Sequence, residues 1–265
     1  MKYRFSSFQF TALGTLLALA GVGLVPNTAH AAPIVWGAVT NITGVTDVST
    51  AGSLFAAYNF GGSGAAATTI NGVTFQPFAI AGNPTTVGNF SVQESPSQLF
   101  GNNTLFGSTS APFASLPSSY QTLLQSGVYS RAPAAITLTM NNLTVGQIYQ
   151  YQWWTNTSNG FTNNNFVTAL AGNSVTLSPN TSQAVGGLGQ YVIGTFTADS
   201  TTQTVSYTGS TSASTSGPVI NGFQVRAVSA PEPGTLLLFL YGGSSVALSG
   251  SRLTIRRIRA ASHAL

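Results

Sequence analysis

The sequence contains no cysteine, which excludes a disulfide framework, a thiolate nucleophile and any Cys-ligated metal. Charge is almost as scarce: 5% of the residues are Asp, Glu, Lys or Arg, against about a quarter in an ordinary globular chain. Histidine occurs only as His30 and His263, near the two ends, and Lys2 is the only lysine. Residues 32–229 therefore hold no His, Cys or Lys. A Ser-His-Asp triad lacks its histidine, a zinc site its imidazole or thiolate ligands, and a Schiff base its lysine.

What charge there is sits at the ends. The formal +4 and the pI near 9.6 come from Lys2 and Arg4 at the start and Arg252, Arg256, Arg257 and Arg259 at the close. Between them Arg131 and Arg226 face Asp47, Glu94 and Asp199, so the middle carries a net −1. No basic groove is available to neutralise phosphates, and nucleic acid is excluded as a partner.

The first 31 residues have the order of a secretory signal peptide. Lys2 and Arg4 form the charged start, Phe10 to Val25 the apolar stretch, and Pro26-Asn27 break it before Ala29-His30-Ala31. The small residues Ala29 and Ala31 place cleavage after Ala31. The apolar stretch is shorter than the roughly 20 residues a membrane-spanning helix needs.

Residues 230–259 form a second address. Pro231-Glu232-Pro233-Gly234 comes first, then an apolar run over 235–250, then the basic residues of 252–259. The two prolines bar a helix around Glu232 and hold the backbone extended, as a processing enzyme requires of its substrate. Leu236 to Leu240 are strongly apolar, while Ser244, Ser245 and Ser249 dilute the second half of the predicted span. Arg252, Arg256, Arg257 and Arg259 act as the stop-transfer group that stays cytoplasmic, which leaves residues 32–229 outside.

Pro231, Glu232 and Pro233, the apolar run behind them and the arginine-bearing end resemble the sorting segment of PEP-CTERM proteins, the proposed substrates of exosortases in Gram-negative bacteria that make extracellular polysaccharide. The resemblance implies an export machinery and an exosortase-type membrane enzyme as partners. It also implies an intermediate anchored in the inner membrane by the C-terminal helix, and final residence at the cell surface or outside the cell. The strings Ile70-Asn71-Gly72-Val73-Thr74-Phe75 and Gly189 to Phe196 look like segments of such proteins and loosely resemble the galactose-binding-like jelly rolls, which would imply recognition of extracellular polysaccharide.

Residues 32–229, about 198 residues, are long enough for one β-sandwich with a real core. Ile136, Leu138 and Met140 alternate with threonines, and Tyr149, Tyr151 and Trp153 alternate with glutamines, which predicts two antiparallel strands joined by a short loop. Asn71-Gly72 and Gly172-Asn173, each between β-prone runs, predict hairpins. Further strands are expected at 34–39, 54–60, 89–93, 190–198, 203–208 and 219–226. Ser115 to Gln125 offers cap residues, a Leu123-Leu124 pair and Gly127 as a stop, and predicts a short helix. The expected fold is all-β: an antiparallel sandwich, most simply a jelly roll, with an immunoglobulin-type sandwich as the alternative. A signal helix and a C-terminal transmembrane helix flank it.

Few side chains are left to do chemistry, and no enzymatic activity and no cofactor is expected. Paired carboxylates for glycoside cleavage would have to come from Asp47, Glu94 and Asp199. Asp47 is the one weak candidate for a metal, calcium through the Val45–Ser49 turn; its other reading is a turn residue bonded to nearby backbone. Trp153, Trp154 and Asn156 are the candidate ligand-binding residues, since an indole face packs on a pyranose ring and an amide bonds its hydroxyls. Strand alternation sends the two indoles to opposite faces, so at least one belongs to the core. Asn159, Asn163, Asn164 and Asn165 extend the same loop. The functional expectation is an exported surface or matrix protein, with a carbohydrate-binding module as the alternative.

Overall fold

A computed structural model describes residues 32–95, 98–131, 134–160, 166–210 and 217–229. The signal peptide with Ala29 and Ala31, the Pro231–Gly234 motif, the 235–250 span, the arginines from Arg252 on, and Asn163 to Asn165 all lie outside the described residues. Among the described residues no helix is long and apolar enough to cross a membrane.

The chain is all-β with one α-helix among the described residues. In order come β1 (Val35–Trp36), β2 (Thr40–Asn41), β3 (Ser53–Gly61), β4 (Thr68–Ile70), β5 (Val73–Ala79), β6 (Thr85–Val87), β7 (Phe90–Ser95) and β8 (Phe100–Asn102). Helix α1 (Ser118–Gln125) precedes β9 (Gly127–Tyr129), β10 (Ala135–Met140), β11 (Ile148–Thr155), β12 (Val167–Ala171) and β13 (Asn173–Leu177). Then follow β14 (Gln190–Thr197), β15 (Gln203–Gly209), β16 (Val219–Ile220) and β17 (Gly222–Val228).

One sheet has the order β1-β14-β11-β17-β3-β5-β4, with β2 also on β14; a second has β13-β12-β15-β10-β7-β6; a small third has β16-β9-β8. Pairings are antiparallel except β3 with β5. The two large sheets form a sandwich. Phe60, Tyr151, Trp153, Val192 and Phe223 from the first meet Phe90, Val92, Leu138, Val205 and Tyr207 from the second in one buried core. Side chains on strands alternate, so each sheet contributes every second residue.

The 136–140 and 149–153 strands are found as β10 and β11, with one correction. They do not pair with each other: β10 lies between β15 and β7, and β11 between β14 and β17 in the facing sheet. The loop between them crosses from sheet to sheet because both apolar faces must reach the same core from opposite sides. The Asn71-Gly72 hairpin forms as expected, with φ of 50° and 74° at the two turn positions. At the second hairpin Ala171 pairs directly with Asn173, leaving Gly172 at the tip with φ 78°, one residue tighter than the sequence suggests.

The helix starts later than expected. Phe113–Ser115 make a separate 3₁₀ turn, and Pro117, with ψ 141°, stands extended immediately before Ser118. Tyr120, Leu123 and Leu124 form the buried stripe of α1, at the i, i+3, i+4 spacing of one helical face. That stripe packs on the outer face of the first sheet with Ala57, Phe75 and Trp154, a second core distinct from the one between the sheets. Hence β11 changes character along its length: its first half alternates, and its second half is buried on both faces.

Chain entry and exit share one end of the first sheet. Val35 pairs with Thr195 on β14, Ile148 on β11 pairs with Thr197, and Ile148 on its other side pairs with Val228, the last residue of β17. An apolar groove of about 420 Å³ opens there, lined by Pro33, Val35, Ile148 and Thr195 among others.

Candidate functional site

Trp153 and Trp154 point to opposite faces, and both are fully buried. Trp153 meets Tyr207 edge-on between the sheets, with ring centroids 5.0 Å apart. Trp154 lies beneath α1, edge-on to Phe75, and its Nε1 donates to the Tyr120 hydroxyl at 3.1 Å. The expectation of an indole as a sugar platform is corrected: the helix closes the face that the sandwich leaves open.

Tyr120 donates in turn to Asp47 Oδ2 at 3.0 Å. The same carboxylate accepts from the Thr43 hydroxyl at 2.7 Å and from the Thr43 and Gly44 backbone amides at 2.8 and 3.0 Å. Four donors therefore occupy Asp47, which closes the 43–47 turn and fixes it to the helix. Among the described residues no group of three or more His, Cys, Asp or Glu could hold a metal ion. Burial, followed by the neighbouring Asp47 charge, pushes the Tyr120 phenol well above its usual range.

Asn156 is fully buried too. Its Nδ2 donates to Leu124 O, Phe106 O and Ser158 Oγ, its Oδ1 accepts from the Gly189 amide at 3.0 Å, and its own amide donates to Asn221 Oδ1. Asn221 Nδ2 donates to Leu124 O at 2.8 Å and Ser126 O at 2.7 Å. The amide predicted to meet a ligand instead ties together the loops at one end of the sandwich. Asn159, beside it, donates to Leu105 O. A buried backbone carbonyl left without a donor is costly, and short side-chain amides satisfy several at once.

A third polar set holds the 47–52 loop against the sheet. Gln152 and Gln224 are cross-strand partners joined at 2.6 Å, and each also donates to loop carbonyls, Asp47 O and Ser49 O. Arg226, one cross-strand row away, donates to the carbonyls of Thr50, Ala51 and Gly52. Asp47, Glu94 and Arg226 are all below 8% exposed. Of the charged side chains among the described residues, only Arg131 and Asp199 face solvent.

Arg131 belongs to a surface cluster that no pattern in the sequence reveals. The small sheet pairs Phe100 directly with Tyr129, and their rings stack with centroids 5.2 Å apart and planes 23° from parallel. The Arg131 guanidinium lies over the Phe100 ring, 5.4 Å from its centroid, and Phe106 braces Tyr129 edge-on from the core side. Phe100 and Tyr129 are partly exposed. The sequence signal was thin: Arg131 is the single cation between Arg4 and Arg226, and nothing in the spacing connects it with Phe100.

Fold and site together define a two-sheet β-sandwich domain with an aromatic–guanidinium shelf at one end. No family model and no curated protein matches the chain. Among solved structures, one described as the basis for the promiscuous specificity of carbohydrate-binding modules of the β-sandwich superfamily is similar at 11% identity over 59% of this chain and 71% of that one, with a TM-score of 0.17. A likeness that loose carries no argument for this chain.

Proposed function

We propose that this chain is an exported, non-catalytic protein of the cell surface or extracellular matrix, sorted through a PEP-CTERM tail. The carrying observation is the order of parts after the last strand. β17 ends at Val228, Pro231-Glu232-Pro233 follows at once, and the apolar run and then the arginines come after it. Residues 229–234 reach at most about 20 Å when extended, so a processing enzyme at the membrane would meet the motif in a short linker. Chain entry at Ala32 and exit at Ser229 lie at one end of the first sheet, which suits a domain that hangs from its tail.

The finer fold reading belongs here as well. The strand order β14-β11-β17-β3 facing β13-β12-β15-β10, with every connection among these strands crossing between the sheets except the β12–β13 hairpin, supports a jelly roll over an immunoglobulin-type sandwich. A structural role is supported by how the polar side chains are used, since Asp47, Asn156, Asn221, Gln152, Gln224 and Arg226 are all spent on holding loops. A carbohydrate-binding module is the second reading, favoured by the shelf of Phe100, Tyr129 and Arg131.

Intact mass and cell fractionation of the protein from its native host, wild type beside Glu232→Ala, test the sorting. Loss of both termini in the wild type, with the variant held in the membrane at higher mass, is the expected result. A full-length tail in both would reduce the protein to a simple membrane-anchored domain.

A further inference from the structure

The two solvent-facing charges of the domain lie at opposite ends. Asp199 follows β14 at the end where the chain enters and leaves, whereas Arg131 follows β9 beside the start of β17. From Gly222 to Val228 that strand spans about 20 Å. A domain hung from Ser229 therefore presents Arg131 on the side away from its anchor.

Arg131 is free to engage a ligand. Its guanidinium makes no hydrogen bond or ion pair with another described residue, and it lies over the Phe100 ring. Resting on an aromatic face limits the rotamers of an exposed arginine and leaves the planar fork of N–H donors open at its rim. That fork matches a carboxylate in two parallel bonds. Beside it, the Phe100 and Tyr129 rings are stacked on each other and partly exposed; the ring surface that this stack leaves uncovered is of the kind that packs on the C–H groups of a pyranose, and the Tyr129 hydroxyl adds a polar handle.

We propose that Phe100, Tyr129 and Arg131 form a binding site for a carboxylate-bearing sugar, that is, a uronate unit of an acidic polysaccharide. The site deepens the matrix reading by naming its partner, and rests on that reading only for where the two would meet. A neutral glucan gives the guanidinium no anion, and an isolated carboxylate gives the rings nothing to cover; an acidic sugar uses both parts of the shelf.

Affinity electrophoresis of the purified full chain in gels containing polygalacturonate, with dextran gels as the neutral control, tests this. Retardation by polygalacturonate and not by dextran is expected, with Arg131→Ala weakening it about tenfold. Arg131→Lys, which keeps the charge and loses the fork, falls in between, and Tyr129→Ala also weakens it. The C-terminal arginines contribute equally to every variant, so the difference between variants isolates the shelf. Thermal melts confirm that each variant is folded. Equal retardation of wild type and Arg131→Ala, or equal binding of dextran, would overturn the site. Binding is read in vitro, so it stands or falls independently of whether Glu232→Ala blocks processing.

Discussion

The indole N–H of Trp154 donates to the hydroxyl of Tyr120 at 3.1 Å, across the seam between the first sheet and the helix that covers it. Tyr120 passes the interaction on to Asp47, so a residue of β11, one of α1 and one of the N-terminal turn are locked in a line. Tyr120→Phe keeps the ring and removes the link, leaving a buried indole N–H without an acceptor. The expected cost is about 1–3 kcal/mol, read as a lower urea midpoint at unchanged slope.

Three phenols that are fully buried, Tyr120, Tyr151 and Tyr207, are all raised above the ordinary value of 10.0 by burial. Tyr151 and Tyr207 also bond to each other through their hydroxyls. Above pH 10 the unfolded chain releases phenolic protons that the folded chain retains. Their contribution is thus complete below about pH 10 and is lost as pH rises toward the folded values. Urea denaturation should give constant stability across pH 7 to 9 and a steep fall beyond about pH 10. Tyr120→Phe should make that fall shallower, and an unchanged slope in the variant would count against the buried phenol.

Asn221→Ala removes the donors to Leu124 O and Ser126 O and the acceptor for the Asn156 amide in one step. The expected loss is about 2–4 kcal/mol. Hydrogen exchange should show faster exchange at Asn156 and Gly189, whose amides the network protects, and little change in β10 or β15.

Trp153→Ala and Trp154→Ala should each cost about 3–5 kcal/mol through cavity formation, by equilibrium denaturation. Their effects should come close to adding in the double variant, because the two side chains occupy separate cores on opposite sides of one sheet.

Gly72 has φ 74° and open space where a Cβ would project. Gly72→Ala therefore meets no clash, and its expected cost of about 1–2 kcal/mol is backbone strain alone. Gly72→Asn should recover part of it, since asparagine tolerates that conformation.

How far the sequence could be read depended on the range of each interaction. Alternation at Ile136–Met140 and Tyr149–Trp153, and the turn chemistry of Asn71-Gly72, are local, and they located their strands to within a residue or two. Pairing between β10 and β11 was misread because adjacency in sequence does not distinguish a hairpin from a crossing between sheets; only the shared core decides. Trp154 and Asn156 looked available for a ligand because the cover that hides them, α1 and the loops at Phe106 and Gly189, comes from distant parts of the chain.

The sequence by itself determined that residues 32–229 hold no histidine, cysteine or lysine, the all-β class and the placement of charge, since composition and period-two patterning are properties of the chain alone. Tertiary structure decided which strands share a sheet and which face of β11 the helix covers. It also decided that Asp47 and Asn156 serve the fold and that Phe100, Tyr129 and Arg131 stand together. Each of those depends on contacts between segments tens of residues apart, which no local pattern encodes.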